Sequence, residues 1–497
     1  MANKLTLAEW QERASQVQFN GRAFINGEYC DAADGETFPS INPATGDALG
    51  EVSSCDKADA DIAVEVARRA FKSGSWAEPA VRKKVLLKLA QLISQHREEL
   101  ALLETLDMGK GISDSFNVDI PSAAACVRWN AEAIDKVYGE VAPTSASKLG
   151  IVVREPLGVV AAIVPWNFPL LMACWKIAPA LAAGNAVILK PSEKSPLTAI
   201  RLAGLAQQAG VPDGIFQVLP GFGHTVGKAL ALHMDVNAIA FTGSTNVGKQ
   251  LIQYAGQSNM KRTFMECGGK SPNIVCADAE NLDRVAKAAA SAIFYNQGEV
   301  CIAASRLLVE NSIKDTFIEK VMSHAGKFQP GNPLDPASRM GAIVDDLQLD
   351  RVLGYIGKGC EEGASLKLGG QQLDSEAGGY FIGPTVFDDV TPQMTIAKEE
   401  IFGPVLTVIG FDTLEEAIEI ANDTVYGLAA AVWTANINKA LKASRTLESG
   451  QVFINNYGGG DMSVPFGGMK QSGNGRDKSI HSLKEYSELK TIWIEIQ

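Results

Sequence analysis

Little in the 497-residue sequence points to bound metal, paired thiols or a polyanionic partner. The eight cysteines, Cys30, Cys55, Cys126, Cys174, Cys267, Cys276, Cys301 and Cys360, include no Cys-x-x-Cys pair and no histidine at metal-ligand spacing. That excludes the common zinc modules and a disulfide scaffold, and it leaves the thiols free for packing or chemistry. Acidic residues outnumber basic ones, 57 to 45, giving a net charge of -12. With no basic block to neutralise a run of phosphates, nucleic acid is not an expected partner. No apolar run approaches the ~20 residues that span a bilayer. Met1 to Gln18 carries Lys4 and then polar and acidic residues where a secretion signal has an apolar stretch, so a cytoplasmic location is expected. The five histidines, His96, His224, His233, His324 and His481, lie in no motif associated with Cys301, which argues against a Cys-His hydrolase.

What is present reads as globular. Hydrophobic residues make up 46% and charged residues 21%, with no repeat or low-complexity stretch, and the length predicts two or more domains. Lys83 to Met108 places Val85, Leu86, Leu89, Leu92, Ile93, Leu100 and Leu103 at helical spacing, with Gly109 as a stop. From Gly158 the pattern changes to short apolar runs, Val159 to Val164, Ala186 to Leu189, Ile215 to Leu219 and Ala238 to Phe241, separated by segments of helical character. Runs apolar on both faces and joined by helix-length crossovers predict an α/β, doubly wound parallel sheet with ligands at the strand C-termini. Further strands are expected at Asn273 to Cys276, Arg306 to Val309, Val405 to Ile409 and Gln451 to Asn455, in a second α/β domain. Ser487 to Gln497 alternates as a strand with no obvious partner, which suggests pairing with another subunit.

Several short stretches carry chemistry, each with a plainer alternative. Gly243-Ser244-Thr245-Asn246-Val247-Gly248 lies between a strand and a helix, either as a pyrophosphate site on the helix N-terminus or as an ordinary glycine-rich turn. Gly221-Phe222-Gly223 is not the dinucleotide fingerprint, because the third glycine, Gly227, falls one position late. Cys301 follows a turn at Gly298, so it is either an accessible nucleophile or a small core residue. Glu266 precedes Gly268-Gly269-Lys270, as a buried base or as an ion-pair partner of Lys270.

Taken together, Pro165-Trp166-Asn167-Phe168-Pro169, Phe241-Thr242-Gly243-Ser244, Glu266 with Gly268-Gly269-Lys270, the Cys301 loop, Glu400-Ile401-Phe402-Gly403-Pro404 and Pro465-Phe466-Gly467-Gly468 stand in the order seen in aldehyde dehydrogenases. The chain resembles that family over nearly its entire length. The resemblance implies the family's α/β fold: a Rossmann-like cofactor domain over 8–139 and 159–268, a catalytic domain over 269–478, and a β oligomerisation arm from 140–158 and 479–497. It also implies a homo-oligomer, dimer or tetramer, and no metal.

By the same resemblance Cys301 attacks the aldehyde carbon, and Asn167 and the Cys301 backbone N–H hold the oxyanion. NAD(P) accepts the hydride, and Glu266 activates the water that hydrolyses the thioester, assisted by Lys176 and Asp477. Many relatives carry Glu where this chain has Asp477. The implied cofactor residues are Ile163, Pro165, Trp166, Lys190, Glu193, Gly223, Phe241, Gly243, Ser244, Val247, Gly248, Gln348, Glu400 and Phe402. A carboxylate at Glu193 on the ribose repels a 2′-phosphate, so NAD is preferred, with NADP admitted by Lys190. Cys267, where Leu is commonest, either packs or forms a second oxidisable thiol.

Within the family, Asn455-Asn456-Tyr457 through Gly475-Arg476-Asp477 is similar to the γ-glutamyl-γ-aminobutyraldehyde and guanidinobutyraldehyde dehydrogenases of polyamine and arginine breakdown. The implied tunnel is Phe168, Leu171 and Trp175 with Asp461 near and Asp119 at the mouth. Asp119 or Asp461 would attract the cationic tail of an ω-amino or guanidino aldehyde. Alternatively Asp119 is a helix N-terminal acid, and Gly458-Gly459-Gly460 favours broad tolerance. Other readings are a general aliphatic, aromatic or betaine aldehyde dehydrogenase, a CoA-acylating enzyme, which should lack the base Glu266, and a non-enzymic structural protein, which should have lost Cys301, Glu266 or Asn167.

Overall fold

The computed structural model describes residues 5–373 and 378–496. Lys4 and Gln497, at the two ends of the sequence reading, lie outside them. Two seven-stranded sheets organise the chain, each over its own apolar core. The first has the spatial order 262–266, 238–242, 159–163, 186–190, 216–218, 23–25, 28–30. Its first five strands run parallel, as the expected βαβ spacing requires, and Val159–Ile163 and Ala186–Lys190 are buried along their whole length. A short antiparallel hairpin near the N-terminus, Ala23–Ile25 with Glu28–Cys30, extends the sheet on one side. The second sheet has the order 365–368, 385–388, 405–411, 306–310, 272–275, 429–433, 451–454, parallel except at the 365–368 edge.

Two expectations need correction. Lys83 to Met108 is not one helix but two, Pro79–Gln95 and Arg97–Met108. The break is at His96, whose ψ of 22° departs from helical geometry, while its ring bonds Glu99 at 2.8 Å. Gly109 does stop the second helix, in the left-handed conformation with φ 85°. The terminal strand Ser487–Glu495 does have a partner in its own chain. It pairs antiparallel over nine residues with Lys148–Pro156, which in turn pairs with Glu140–Ala142. That partner lies more than 300 positions upstream, beyond the reach of a local pattern. The outer edge of Ser487–Glu495 stays unpaired, and Leu489, Ile492, Trp493, Ile494 and Ile496 are exposed on the arm. Among the described residues no helix is long and apolar enough to cross a membrane.

Candidate active site

The parallel strands of the first sheet end in register. Lys190 stands opposite Ile163, Ile163 opposite Phe241 and Phe241 opposite Met265, with Glu266 one step further beside Thr242. The chain builds outward from 159–163 through 186–190 to 216–218, then crosses back to lay 238–242 on the other side. That reversal opens a crevice at the carboxyl ends of 159–163 and 238–242, where doubly wound sheets take ligands. Ser244 caps the helix Thr245–Gln257, its Oγ accepting from Val247 N–H, so the positive end of a helix dipole stands at this edge.

From the crevice a cavity of about 690 Å³ reaches into the second half of the chain. Pro165, Trp166, Asn167, Gly243, Ser244, Glu266, Cys301, Gln348, Glu400, Phe402 and Asp477 all line it, as do Asp119, Phe168, Leu171 and Trp175. Cys301 follows a turn in which three successive residues, Asn296, Gln297 and Gly298, have positive φ of 50°, 57° and 71°. Two of the three are not glycine, and side-chain bonds hold them there. Asn296 Nδ2 donates to the Asn167 and Glu299 carbonyls. Gln297 spans to the Gly341–Ala342 backbone, donating to Ala342 O and accepting from Gly341 N–H. Asn167 Nδ2 donates to Glu299 O at 2.8 Å, which fixes its amide against the Cys301 loop and leaves its second hydrogen available.

Burial, then the Glu400 and Glu266 carboxylates, push the Cys301 thiol up to about 12, with the N–H groups of Ile302 and Cys301 opposing. Glu266 is buried, and among the described residues neither carboxylate oxygen has a hydrogen-bond partner. Burial first and the Asp477 charge second raise it well above the ordinary carboxylate range, while Lys176 and Arg476 pull the other way. Lys176 Nζ donates to Asp477 Oδ2 at 2.6 Å, both side chains being buried. Thus Asp477, despite its short side chain, reaches Lys176. An antiparallel bridge between Glu266 and Gly473 draws this C-terminal segment onto the first sheet. Lys270 is not an ion-pair partner of Glu266. Its buried Nζ has no partner, and burial, then Arg306, lowers it to about 7.

On the cofactor side, Lys190 and Glu193 are paired at 3.1 Å. Trp166 and Phe402 meet edge to face with centroids 5.2 Å apart. Gln348 Nε2 donates to the Phe402 carbonyl at 2.8 Å and supports a residue whose φ is 61°. Glu400 accepts from Gly269 N–H at 3.0 Å and lies so close to Gly268 that a Cβ there would come within 2.0 Å of its carboxylate. A perpendicular aromatic pair, a carboxylate and a capped helix start on a single crevice fit a dinucleotide. Gly223 begins a π-helical turn, Gly223–Gly227. Cys267 packs in a small core with Phe241 and its sulfur lies against Gly248.

On the substrate side, Phe168 stacks on Tyr295, and Trp175 meets Phe466 edge to face. Asp119 lines the cavity but is not a helix cap. It ends a π-helical turn, Ser115–Asp119, in helical conformation, with no cap bond from its side chain. Lys110 Nζ donates to its Oδ2 at 2.7 Å, reaches Glu104 at 3.2 Å, and sits 4.0 Å from the Phe168 ring centroid. Asp119 Oδ1 has no hydrogen-bond partner among the described residues. Asp461 is not in the cavity wall, contrary to expectation. It is exposed and accepts from Ser463 N–H at 2.7 Å, because this short acid folds back on its own turn. Tyr295, Tyr457 and Phe466 also stand in the wall, and Glu299, two positions before Cys301, is buried. In the sequence only the motif positions of Tyr457 and Phe466 give a signal.

A family model described as aldehyde dehydrogenase family matches residues 29–492. The chain belongs to the aldehyde dehydrogenase family. It is 56% identical over 493 residues to the NADP/NAD-dependent aldehyde dehydrogenase PuuC of Escherichia coli (strain K12), covering 99% of each chain. Its fold matches AldA, an indole-3-acetaldehyde dehydrogenase of P. syringae solved as a mutant in complex with NAD+ and IAA. The TM-score is 0.98 at 61% identity, over 99% of this chain and 100% of that one. A γ-glutamyl-γ-aminobutyraldehyde dehydrogenase from Burkholderia cenocepacia J2315 gives 0.97 at 59%, with the same coverage. This aldehyde dehydrogenase is an oxidoreductase that oxidises aldehydes with NAD(P).

Proposed function

We propose that Cys301 is the nucleophile, Asn167 an oxyanion donor and Glu266 the base. The reading is carried by one observation: a thiol, a carboxylate with both oxygens unpartnered and an anchored amide line a single cavity. Addition of the Cys301 thiolate to the aldehyde carbon forms a C–S bond and an oxyanion. The free Asn167 amide hydrogen and the Cys301 backbone N–H hold that charge. When bound, NAD would supply the acceptor for the hydride that leaves the former aldehyde carbon as its C=O re-forms, leaving the acyl group on Cys301 as a thioester. Glu266 takes a proton from water as the water attacks the thioester, releasing the acid and the thiol. The Lys176–Asp477 pair keeps charge balanced behind Glu266.

The cofactor would lie along Ile163, Pro165, Trp166, Lys190, Glu193, Phe241, Gly243 and Ser244, with Gln348, Glu400 and Phe402 at the nicotinamide end. Glu193, held by Lys190, favours NAD over NADP. The substrate we favour is an aldehyde with an N–H donor a few carbons along its chain, as in ω-amino, γ-glutamylamino and guanidino aldehydes. The unpartnered Asp119 Oδ1 in the cavity wall supports this. The exposed apolar edge of the arm supports a homo-oligomer, dimer or tetramer, and the unpaired cysteines are suited to a reducing cytoplasm.

The test is NADH absorbance with γ-aminobutyraldehyde, a guanidino aldehyde, propanal and betaine aldehyde, beside Cys301→Ala. Turnover should fall roughly a thousandfold or more in the variant. No turnover of any aldehyde by the parent would defeat the assignment. Asp119→Asn should raise KM for aminobutyraldehyde relative to butyraldehyde, and an unchanged ratio removes Asp119 from the role.

A further inference from the structure

The aldehyde passage continues beyond the catalytic cavity. Ala288 and Ser291, on the helix Leu282–Phe294, line that cavity and also an adjoining hollow of about 490 Å³. Arg284, Lys287, Trp433, Asn455 and Asn456 make up the rest of the hollow's wall. Positions 284, 287, 288, 291 and 295 recur at intervals of three and four, so they form one stripe leading inward to Tyr295 and the Cys301 loop. Small residues occupy the middle of the stripe, and its outer end is cationic. Arg284 is already oriented, its Nη2 donating to Asn455 O at 3.0 Å and its guanidinium lying 5.9 Å from the Trp433 ring centroid. Lys287 is exposed and forms no ion pair among the described residues. Of the nearby acids, Asp283 bonds His324 at 3.0 Å, and Glu280 lines a neighbouring hollow that shares Arg284, Trp433 and Asn455 with this one, on the side away from Lys287 and Ser291.

We propose that this hollow is an anion subsite, in which Arg284 and Lys287 bind a carboxylate at the far end of the substrate. The proposal rests on oxidation at Cys301 and selects among the aldehydes above. Between Lys287 and the helix end at Phe294 the stripe rises about 10 Å at 1.5 Å per residue. In a γ-glutamylamino aldehyde roughly nine bonds separate the aldehyde carbon from the carboxylate carbon, an extended span of about 10–11 Å. Simple ω-amino and guanidino aldehydes are shorter and carry no carboxylate for the cationic wall to bind. The Gly458–Gly459 backbone of the cavity wall and the small Ala288 and Ser291 leave room for such a chain.

Steady-state kinetics with saturating NAD tests this, using γ-glutamyl-γ-aminobutyraldehyde, its analogue with the α-carboxylate replaced by a carboxamide, and propanal. The carboxylate substrate should have the lower KM by about three- to tenfold, the worth of two exposed ion pairs. Added salt should shrink that advantage. The KM ratio of the two long substrates should approach one in the double variant Arg284→Gln/Lys287→Gln and invert in Arg284→Gln/Lys287→Glu. Equal KM values in the parent enzyme, or an advantage that survives the double substitution or high salt, overturn the subsite while oxidation at Cys301 stands. Failure to turn over any of the three, propanal included, removes both.

Discussion

Glu266 and Lys270 lie four residues apart at the end of one strand, and burial drives both toward neutrality from opposite sides. For Glu266 this makes a strong base that must first lose its own proton, and the Cys301 thiol is held high as well. Turnover should therefore climb as pH rises above neutral, and Glu266→Gln should flatten that climb. In Glu266→Gln the first turnover should survive while steady-state turnover drops ~100-fold or more, seen as a burst of NADH and trapped acyl-enzyme by mass spectrometry. An undiminished steady state would exclude the base role. Lys270 is lowered to about 7 in the folded protein, against 10.5 for an unburied lysine. Between those values the unfolded chain binds the extra proton, so stability should rise with pH from about 7 to 10.5, and below 7 the full penalty of a buried ammonium applies. Lys270→Met should reduce this slope in denaturant titrations across that range, and an identical slope would mean that the ammonium is solvated in the fold.

At the level of elements, the turn Asn296–Gly298 decides where Cys301 sits, and its conformation was not legible in the sequence. Gly298 was visible as a turn residue. Asn296 is a residue type that tolerates the left-handed region and it bonds Glu299 locally, but nothing local marks Gln297, and most of the bonds that hold the pair come from Asn167, Gly341 and Ala342, distant in sequence. Gln297→Ala removes two of those bonds and should cost about 1–3 kcal/mol of stability together with activity. Chemical denaturation and kinetics would show it, and a stable, fully active variant would mean that the turn holds itself. The parallel strands were legible because their apolar runs are continuous, as at Val159 to Val164. Ala429–Trp433 was missed because three alanines before Val432 read equally well as helix. The pairs that position the site came through motif resemblance, whereas Asp119 bound to Lys110 and Asp461 turned onto Ser463 are tertiary outcomes that composition does not encode.

For the whole molecule, the arm presents an unpaired strand edge with Leu489, Ile492, Trp493 and Ile494 exposed, which a monomer in water has reason to cover. A second copy supplies an identical edge. Ile492→Lys/Ile494→Lys should therefore shift sedimentation toward the monomer with secondary structure intact, and an unchanged sedimentation coefficient would place the contact elsewhere. The sequence pointed to the arm strand but not to its in-chain partner, Lys148–Pro156.

Lys176 and Asp477 are 301 residues apart along the chain. During synthesis the helix Pro169–Ala182 leaves the ribosome long before its counter-charge exists, so burying Lys176 then would strand an ammonium in the interior. That helix must wait, solvated, until the last twentieth or so of the chain has been made. A chain that ends short of Asp477 leaves Lys176 without its counter-charge.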